Sequence, residues 1–229
     1  MEDHFSVAID GPSGAGKSTI ARAAAKRFGF LYVDTGAIYR TVGLAAERHG
    51  VSFGDEQTVE ALLPEITVGL GYGENGEQRS YLNGEDVSGF IRTPEISNRA
   101  SDVSAMPCVR AYLLAMQRSM AASNNVIMDG RDIGTVVLPG ADLKIFLTAS
   151  AEARAMRRCK ELRESGLQVS LEDVLREIEE RDEHDMSRAT APLKCAHDAI
   201  KLDTSVLTLE ESIDAVCVLI ADKLGVVNR

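Results

Sequence analysis

The chain has 229 residues, of which 45% are hydrophobic, and its formal net charge is −10 at pH 7. This length allows one domain, with or without an insertion, and the apolar fraction suffices for a full core. The acidic balance argues against broad nucleic-acid binding, which usually needs a basic domain. No apolar run approaches the roughly 18 residues of a membrane span, and the acidic start is unlike a secretion signal. We therefore expect a soluble, cytoplasmic monomer with no membrane or nucleic-acid partner.

The first motif lies between two regular elements. An apolar stretch at residues 5–9 predicts a buried strand, and residues 17–28 have helical periodicity. Between them, residues 11–18 read GPSGAGKS and fit the phosphate-loop pattern G-x-x-x-x-G-K-[ST] at every fixed position. Small residues let the loop backbone close around phosphate oxygens, and the helix N-terminus then faces the anion.

The loop predicts ATP and Mg²⁺ as ligands. Lys17 can reach the β- and γ-phosphates, and the hydroxyl of Ser18 can join a Mg²⁺ shell, which makes Ser18 the predicted metal ligand. The predicted ATP-binding residues of this segment are Gly11, Pro12, Ser13, Gly14, Ala15, Gly16, Lys17, Ser18 and Thr19.

The next elements are a second strand at residues 30–33 and helices at residues 37–49 and 58–63. The pattern then changes to short β-like runs at residues 66–72, 78–82 and 85–87. Asn75-Gly76 and Asn83-Gly84 separate these runs, and Asn-Gly is the strongest short hairpin signal. We predict a small antiparallel β insertion at residues 64 to 92.

The pattern again predicts helix from residue 94 to about residue 122, with a break at Pro107. Strands follow at residues 126–128, 143–147 and 199–202. Helices follow at residues 150–165, 170–185 and 208–224, and the last begins with a capping box of Thr208 and Glu211. Strands that alternate with helices predict an α/β fold with a doubly wound parallel sheet, whose ligands lie at the carboxyl ends of the strands.

Three strand ends carry polar chemistry: the phosphate loop, residues 34–40 and residues 129–132. Arg40 and Arg131 can bind a second phosphate, because the guanidinium fork matches phosphate oxygens. Asp132 can accept from an exocyclic amino group, hold a magnesium-bound water or pair with an arginine. The residues alone leave those three alternatives open.

Two later helices carry further arginines. Arg181, Asp185 and Arg188 are spaced i, i+4 and i+7 and share one helix face. Such a stripe is either a salt-bridged, solvated face or part of a closing lid that brings arginines to the transferring phosphoryl group. Arg154 and Arg158, one helix earlier, can cover the ATP phosphates or merely solvate their helix.

The motifs at residues 9–18, 34–40, 82–87, 91–93, 129–136 and 181–188, in this order, resemble those of bacterial cytidylate kinases over nearly the whole chain. The resemblance implies transfer of the γ-phosphate of ATP to CMP or dCMP. It also implies a nucleoside monophosphate kinase fold and a single kinase chain. The core would be residues 1–63 and 93–229, with a monophosphate-binding insertion at about 64–92 and a mobile lid at about 151–190.

The resemblance also implies roles for individual residues. By motif match, the acceptor phosphate is held by Arg40, Arg131 and Arg188. Cytosine is read by Ser101, Arg110 and Asp132, and the sugar is approached by Arg181 and Asp185. The full implied CMP-binding set is Thr35, Tyr39, Arg40, Ser101, Arg110, Asp129, Arg131, Asp132, Arg181, Asp185 and Arg188. The implied catalytic set is Lys17, Arg131, Arg181 and Arg188, and Arg154 and Arg158 join the ATP-binding set. Some family members carry glycine at position 18 and serine at position 35.

Three rival functions remain open to the sequence. Another kinase of the same fold would act on AMP, UMP or a non-nucleotide acceptor. A switch GTPase is disfavoured, because no N-K-x-D guanine motif occurs in the chain. A silent nucleotide-binding module is disfavoured by the intact Lys17 and Ser18.

Overall fold

The computed structural model describes residues 4–51, 55–74, 76–164 and 166–225. These residues form two compact units. The first unit, here called the phosphate-loop unit, comprises the described residues within 1–32 and 123–229. The second, here called the central unit, comprises the described residues within 33–122. No helix in the described ranges is long and apolar enough to cross a membrane.

The regular elements alternate along the chain, as the sequence pattern predicts. The strands are β1 (Ser6–Asp10), β2 (Leu31–Asp34), β3 (Val68–Tyr72), β4 (Gln78–Leu82), β5 (Glu85–Asp86), β6 (Val126–Gly130), β7 (Leu143–Thr148) and β8 (Ile200–Asp203). The helices are α1 (Lys17–Phe28), α2 (Thr35–Arg48), α3 (Glu56–Leu62), α4 (Pro94–Ser104), α5 (Pro107–Ser123), α6 (Ala151–Glu164), α7 (Leu171–Ser187) and α8 (Leu209–Leu224). A 3₁₀ turn covers Leu63–Glu65 and a π-helical turn covers Ile133–Val137.

The larger sheet has the strand order β2-β6-β1-β7-β8. Strand β1 runs parallel to both of its neighbours, and β7 runs parallel to β8. Asp10 lies opposite Gly130 on one side and Phe146 on the other, so the carboxyl ends of three strands lie at one edge. This arrangement confirms the predicted doubly wound parallel sheet flanked by helices.

The core of the phosphate-loop unit explains why its central strands are mostly apolar. Val7 and Ile9 of β1 are fully buried, and so is Leu147 of β7. Helices α1 and α8 pack on the sheet through Ile20 and Ile220, which belong to the same cluster. A parallel sheet covered on its faces needs such continuous apolar strands.

The smaller sheet is antiparallel, with the strand order β3-β4-β5, as predicted for the insertion. Asn83 and Gly84 connect β4 to β5 and both have positive φ, at 50° and 84°, as a type I′ hairpin turn requires. The other predicted Asn-Gly turn includes Asn75, which lies outside the described residues. The proposed boundaries of core, insertion and lid stay a prediction.

Several element ends differ from the predicted ones. Helix α2 begins at Thr35 rather than at residue 37, because the carboxylate of Asp34 caps it by accepting from the backbone N–H of Ala37. Helix α7 ends at Ser187, so Arg188 follows the helix in an extended conformation. Helix α6 ends at Glu164, and residue 165 of its predicted range lies outside the described residues.

Candidate functional site

The phosphate loop joins β1 to α1 and has a conformation that only glycine allows at its first position. A Cβ on Gly11 would lie 1.9 Å from the carbonyl oxygen of Leu147, and its φ is 153°. Gly16 caps α1 in the left-handed region, with φ 85°. The backbone therefore passes close to β7 before it turns into the helix, as a phosphate-binding loop must.

Lys17 is buried within this loop. Its side chain is 5% exposed, and its Nζ donates to the carbonyl oxygen of Pro12 at 2.6 Å. Burial lowers the pKa of Lys17 to about 7, and the positive charge of Arg131 lowers it further, whereas nearby carboxylates oppose the shift. A phosphate anion bound in the loop would favour the charged form of Lys17 and so oppose this lowering of its pKa.

Ser18 lies beside a carboxylate from another strand end. Its hydroxyl donates to Oδ2 of Asp129 at 2.8 Å, and the hydroxyl of Tyr32 donates to Oδ1 of the same carboxylate at 2.9 Å. Asp129 is 4% exposed. Asp129 therefore contacts the phosphate loop through Ser18, and its implied contact with CMP stays a prediction. Within the described ranges, no group of three or more His, Cys, Asp or Glu residues could hold a metal by itself.

A buried ion network is centred on Asp185 in α7. Arg131 donates from Nε to Oδ2 of Asp185 at 2.7 Å, and Nη1 of Arg188 lies 3.8 Å from Oδ1. Nη2 of Arg188 lies 3.9 Å from Oδ1 of Asp132. Burial alone would raise the pKa of Asp185, but Arg131, with Arg181 and Arg188, outweighs burial and holds this pKa below its usual range.

The charges of Arg181, Asp185 and Arg188 thus do not form a solvated face. The prediction that all three share one helix face is wrong for Arg188, because α7 ends one residue before it. Asp185 is 4% exposed and Arg188 is 9% exposed, while Arg181 of α7 is half-buried. Charges that are removed from water in this way remain stable only when opposite charges and hydrogen bonds compensate them. The network joins Arg131 and Asp132, after β6, to the end of α7.

The two arginines of α6 have different surroundings. Arg154 is buried and donates to the carbonyl oxygens of Ala149 and Ser13 and to Oδ2 of Asp182, at 2.9, 3.0 and 2.6 Å. It therefore ties the phosphate loop to both α6 and α7. Arg158 is exposed and pairs with Glu161 at 3.2 Å, and its assignment to ATP stays a prediction. Thr19 is exposed in the first turn of α1.

In the central unit, Asp34 organises the start of α2. Its Oδ2 accepts from Nη2 of Arg40 at 2.9 Å, and Nη2 of Arg92 lies 3.7 Å from the same oxygen. The side-chain amide of Gln78 pairs with the backbone of Asp34, accepting from its N–H at 2.8 Å and donating to its carbonyl oxygen at 3.4 Å. Nε of Arg40 is buried and has no hydrogen-bond partner in the described part of the chain.

The predicted base-reading residues of the central unit lie on α4 and α5. Arg110 is 9% exposed and donates from Nη1 to the carbonyl oxygen of Ser104 at 2.8 Å. Its guanidinium carbon lies 5.5 Å from the centre of the Tyr39 ring, a cation–π distance. Ser101 is half-buried one turn before Ser104, and Thr35 is buried at the start of α2.

Sequence reasoning missed three residues that form hydrogen bonds with predicted site residues or with their neighbours in the chain: Asp10, Tyr32 and Gln78. A signal existed for Asp10, since it is a charge at the end of an apolar strand that runs directly into the phosphate loop. Tyr32 and Gln78 gave no such signal, because their importance rests on partners 97 and 44 residues away along the chain.

Residues 7–222 of the chain match the protein family described as cytidylate kinase. Among curated proteins, the cytidylate kinase of Lactobacillus johnsonii is 48% identical, covering 95% of this chain and 94% of that protein. The cytidylate kinase of Caldanaerobacter subterraneus is 50% identical, covering 92% of each chain. Among solved structures, a gluconokinase from Sinorhizobium meliloti matches at 14% identity with a TM-score of 0.48, covering 98% of each chain. Because the family match and the relatives both span nearly the whole chain, the chain belongs to the cytidylate kinase family.

Proposed function

We propose that this chain is a (d)CMP kinase, which transfers the γ-phosphoryl group of ATP to CMP or dCMP and releases ADP with CDP or dCDP. The observation that carries the proposal is the ion network of Arg131, Asp185 and Arg188, in which the charges of Arg131 and Asp185 also act on Lys17 of the phosphate loop. Two anionic substrates must be brought together in this reaction, and a cluster of arginines around a phosphate loop offsets their repulsion. The enzyme would act in the cytoplasm as a monomer.

On the donor side, the phosphate loop from Gly11 to Thr19 would hold ATP, with Lys17 at the β- and γ-phosphates. Ser18 and Asp129 fit Mg²⁺, because they offer a hydroxyl and a carboxylate in contact at 2.8 Å, and Mg²⁺ in kinases uses one or two such oxygens with phosphates and water. When bound, Mg²⁺ would neutralise charge on the phosphates. Arg154 would keep the loop in place through its bond to Ser13.

On the acceptor side, we assign the CMP phosphate to Arg40, Arg131 and Arg188. Support comes from the buried Nε of Arg40, a donor that a phosphate oxygen would satisfy. Support also comes from the guanidinium groups of the network, since arginine binds phosphate bidentately.

We assign the cytosine to Ser101, Arg110 and Asp132, and the sugar to Arg181 and Asp185. Arg110 is oriented by its hydrogen bond to Ser104 and by the Tyr39 ring, which supports a role in discriminating between bases. Asp132 is buried and near Arg188, so it can still accept from an exocyclic amino group or pair with an arginine.

The chemical step needs positioning and charge neutralisation rather than a general base, because the attacking oxygen belongs to a phosphate that is largely ionised at neutral pH. Lys17 and the arginines would stabilise the charge that spreads over the transferring group. Helices α6 and α7, within the proposed lid at residues 151–190, would exclude water and so suppress hydrolysis of ATP.

The test is ADP release from Mg-ATP with CMP, dCMP, UMP or AMP as acceptor, and without acceptor. We expect a strong preference for CMP and dCMP. Equal rates with UMP or AMP would keep the kinase but remove the cytosine assignment of Ser101, Arg110 and Asp132. Release that ignores the acceptor would contradict the proposed function as a whole.

A further inference from the structure

Asp10 is a buried carboxylate for which the proposed reaction gives no role. It is the last residue of β1 and directly precedes the phosphate loop, and it is 5% exposed. Its two oxygens accept from consecutive backbone N–H groups, Oδ1 from Ile133 at 2.8 Å and Oδ2 from Gly134 at 2.7 Å. One side chain therefore joins the end of β1 to the turn that follows β6.

This turn begins directly after the residues proposed to contact CMP. The π-helical turn covers Ile133–Val137, and Asp132 occupies its N-cap position. An aspartate at the N-cap of an α-helix usually accepts from the N–H of the second or third helical residue, and Gly134 is the second residue of this turn. Here the side chain of Asp132 makes no capping hydrogen bond. Asp10 supplies the acceptors instead, and the carboxylate of Asp132 lies 3.9 Å from Arg188.

The contact is tightly packed around Gly134. A Cβ at this position would lie 3.3 Å from Oδ2 of Asp10 and 3.1 Å from Cδ of Lys144. Lys144 cannot easily yield, because its buried Nζ is fixed by Asp198 and by the carbonyl oxygen of Pro139. The close approach of Asp10 to the turn therefore depends on glycine at position 134.

We propose that Asp10 is a positioning residue for the acceptor side of the reaction. By holding the first N–H groups of the turn, it relieves Asp132 of capping and fixes Arg131 and Asp132 relative to the phosphate loop. This inference rests on the proposed assignment of Arg131 and Asp132 to CMP. A buried carboxylate that served stability alone would show no preference for one substrate.

The ionisation of Asp10 is compatible with this role. Burial raises its pKa to about 6, and the two N–H groups and Lys17 oppose that rise. Above pH 7 the group is mostly ionised, so both oxygens are available as acceptors.

The first test is the Asp10→Asn variant, which keeps the side-chain shape but offers one acceptor oxygen. Its amide group would face one of the two N–H donors. Because an unsatisfied buried donor is costly, we expect the KM for CMP to rise about tenfold, with the KM for ATP changed less than about twofold. Asp142→Asn is the matched control. Asp142 accepts from the backbone N–H of Ser6 at the opposite end of β1, at 2.8 Å, so its KM values should not change.

The second variant, Gly134→Ala, disturbs the same contact from the other side and keeps the test valid if Asp10→Asn does not fold. It should also raise the KM for CMP and not that for ATP. Because the two positions touch, their effects should not add. The double variant should therefore have a KM for CMP close to that of the more impaired single variant.

The outcomes separate this proposal from the one it rests on. If Asp132→Asn raises the KM for CMP but Asp10→Asn and Gly134→Ala do not, the positioning role is overturned and the assignment of Asp132 stands. If Asp132→Asn leaves the KM for CMP unchanged, both are overturned. Equal increases in the KM values for CMP and ATP, or additive effects in the double variant, would also contradict the positioning role.

Discussion

At the scale of single residues, the protonation of Lys17 should change when ATP binds. Burial lowers its pKa to about 7, so at pH 8 the free enzyme would carry it about nine-tenths neutral. The phosphates of ATP favour the charged form, and their own second pKa of about 6 leaves them ionised at this pH. ATP binding at pH 8 should therefore take up close to one proton per site. Calorimetric titrations in two buffers that differ in ionisation enthalpy would measure this uptake.

A Lys17→Met variant provides the control for this prediction, because methionine has a similar length and cannot take up a proton. Any ATP that it still binds should enter without proton uptake. An uptake that persists in the variant would show that another group titrates. No uptake in the unchanged enzyme would mean that Lys17 is already charged before ATP binds.

Arg188 gives a second prediction at this scale. It is 9% exposed and lies within 4 Å of both Asp132 and Asp185. Arg188→Ala would remove a guanidinium assigned to the acceptor phosphate and leave the two carboxylates less compensated. We expect kcat to fall at least about a hundredfold, as when a preorganised transition-state donor is lost.

Steady-state rates at saturating ATP and CMP would measure this loss. The matched control is Arg27→Ala. Arg27 is exposed, and its ion pair with Asp214 lies on the surface, where such pairs contribute little to stability. Near-native turnover in Arg188→Ala would remove Arg188 from the catalytic set. A comparable loss in Arg27→Ala would indicate a general effect of lost charge.

At the scale of elements, the small sheet is expected to act on CMP through Gln78. The first residue of β4 pairs its side-chain amide with both backbone groups of Asp34, much as a neighbouring strand would. Asp34 in turn caps α2 and holds Arg40. Gln78→Ala would leave the N–H of Asp34 without this acceptor and loosen Arg40. We expect the KM for CMP to rise about fivefold while the KM for ATP stays constant.

Arg79→Ala is the neighbouring control in β4. Arg79 is exposed and pairs with Asp86 of the next strand, so its loss should change neither KM, since exposed ion pairs contribute little. If Gln78→Ala behaves like this control, the sheet does not support the acceptor side through Asp34. If both variants raise the KM for CMP, the sheet acts through its general stability instead.

Elements whose signals are local could be predicted from the sequence. The bounds of α1 were predicted to the residue, and the capping box of Thr208 and Glu211 is present at the start of α8. The hairpin at Asn83 and Gly84 is likewise a local signal. The π-helical turn at residues 133–137 was not predicted, because its first N–H groups bond to Asp10, more than 120 residues earlier.

At the scale of the whole molecule, the alternation of strands and helices predicted the parallel sheet, but long-range packing could not be predicted in the same way. The sequence pattern changes from helical to β-like at residue 64, whereas the central unit extends from residue 33 to 122. The reason is that α2 packs against α4 and also contacts β3 and β4, which are distant from it along the chain. For the same reason, roles for Ser101 and Arg110 could be inferred only from the family resemblance.

Stability of the nucleotide-free protein should depend on pH through two buried charges. The pKa of Asp10 is raised to about 6, so the folded state retains this proton longer than the unfolded state, and stability falls as pH rises from about 4 to about 6. The pKa of Lys17 is lowered from 10.5 to about 7, so the unfolded state binds the extra proton above pH 7, and stability rises towards pH 10. These two groups together give a minimum between about pH 6 and pH 7.

Urea unfolding of the unchanged protein and of Lys17→Met, at pH 7 and at pH 9, isolates the second contribution. Between pH 7 and pH 9, Lys17 stays protonated in the unfolded state and loses its proton in the folded state. This difference raises the free energy of unfolding by about 2–3 kcal/mol. The unchanged protein should gain that much more unfolding free energy between these pH values than the variant does, because titrations of other groups occur in both and cancel. Parallel pH dependence in the two proteins would show that Lys17 keeps its charge in the empty loop. The proton uptake expected on ATP binding would then be absent as well, so the two measurements test one property of the molecule independently.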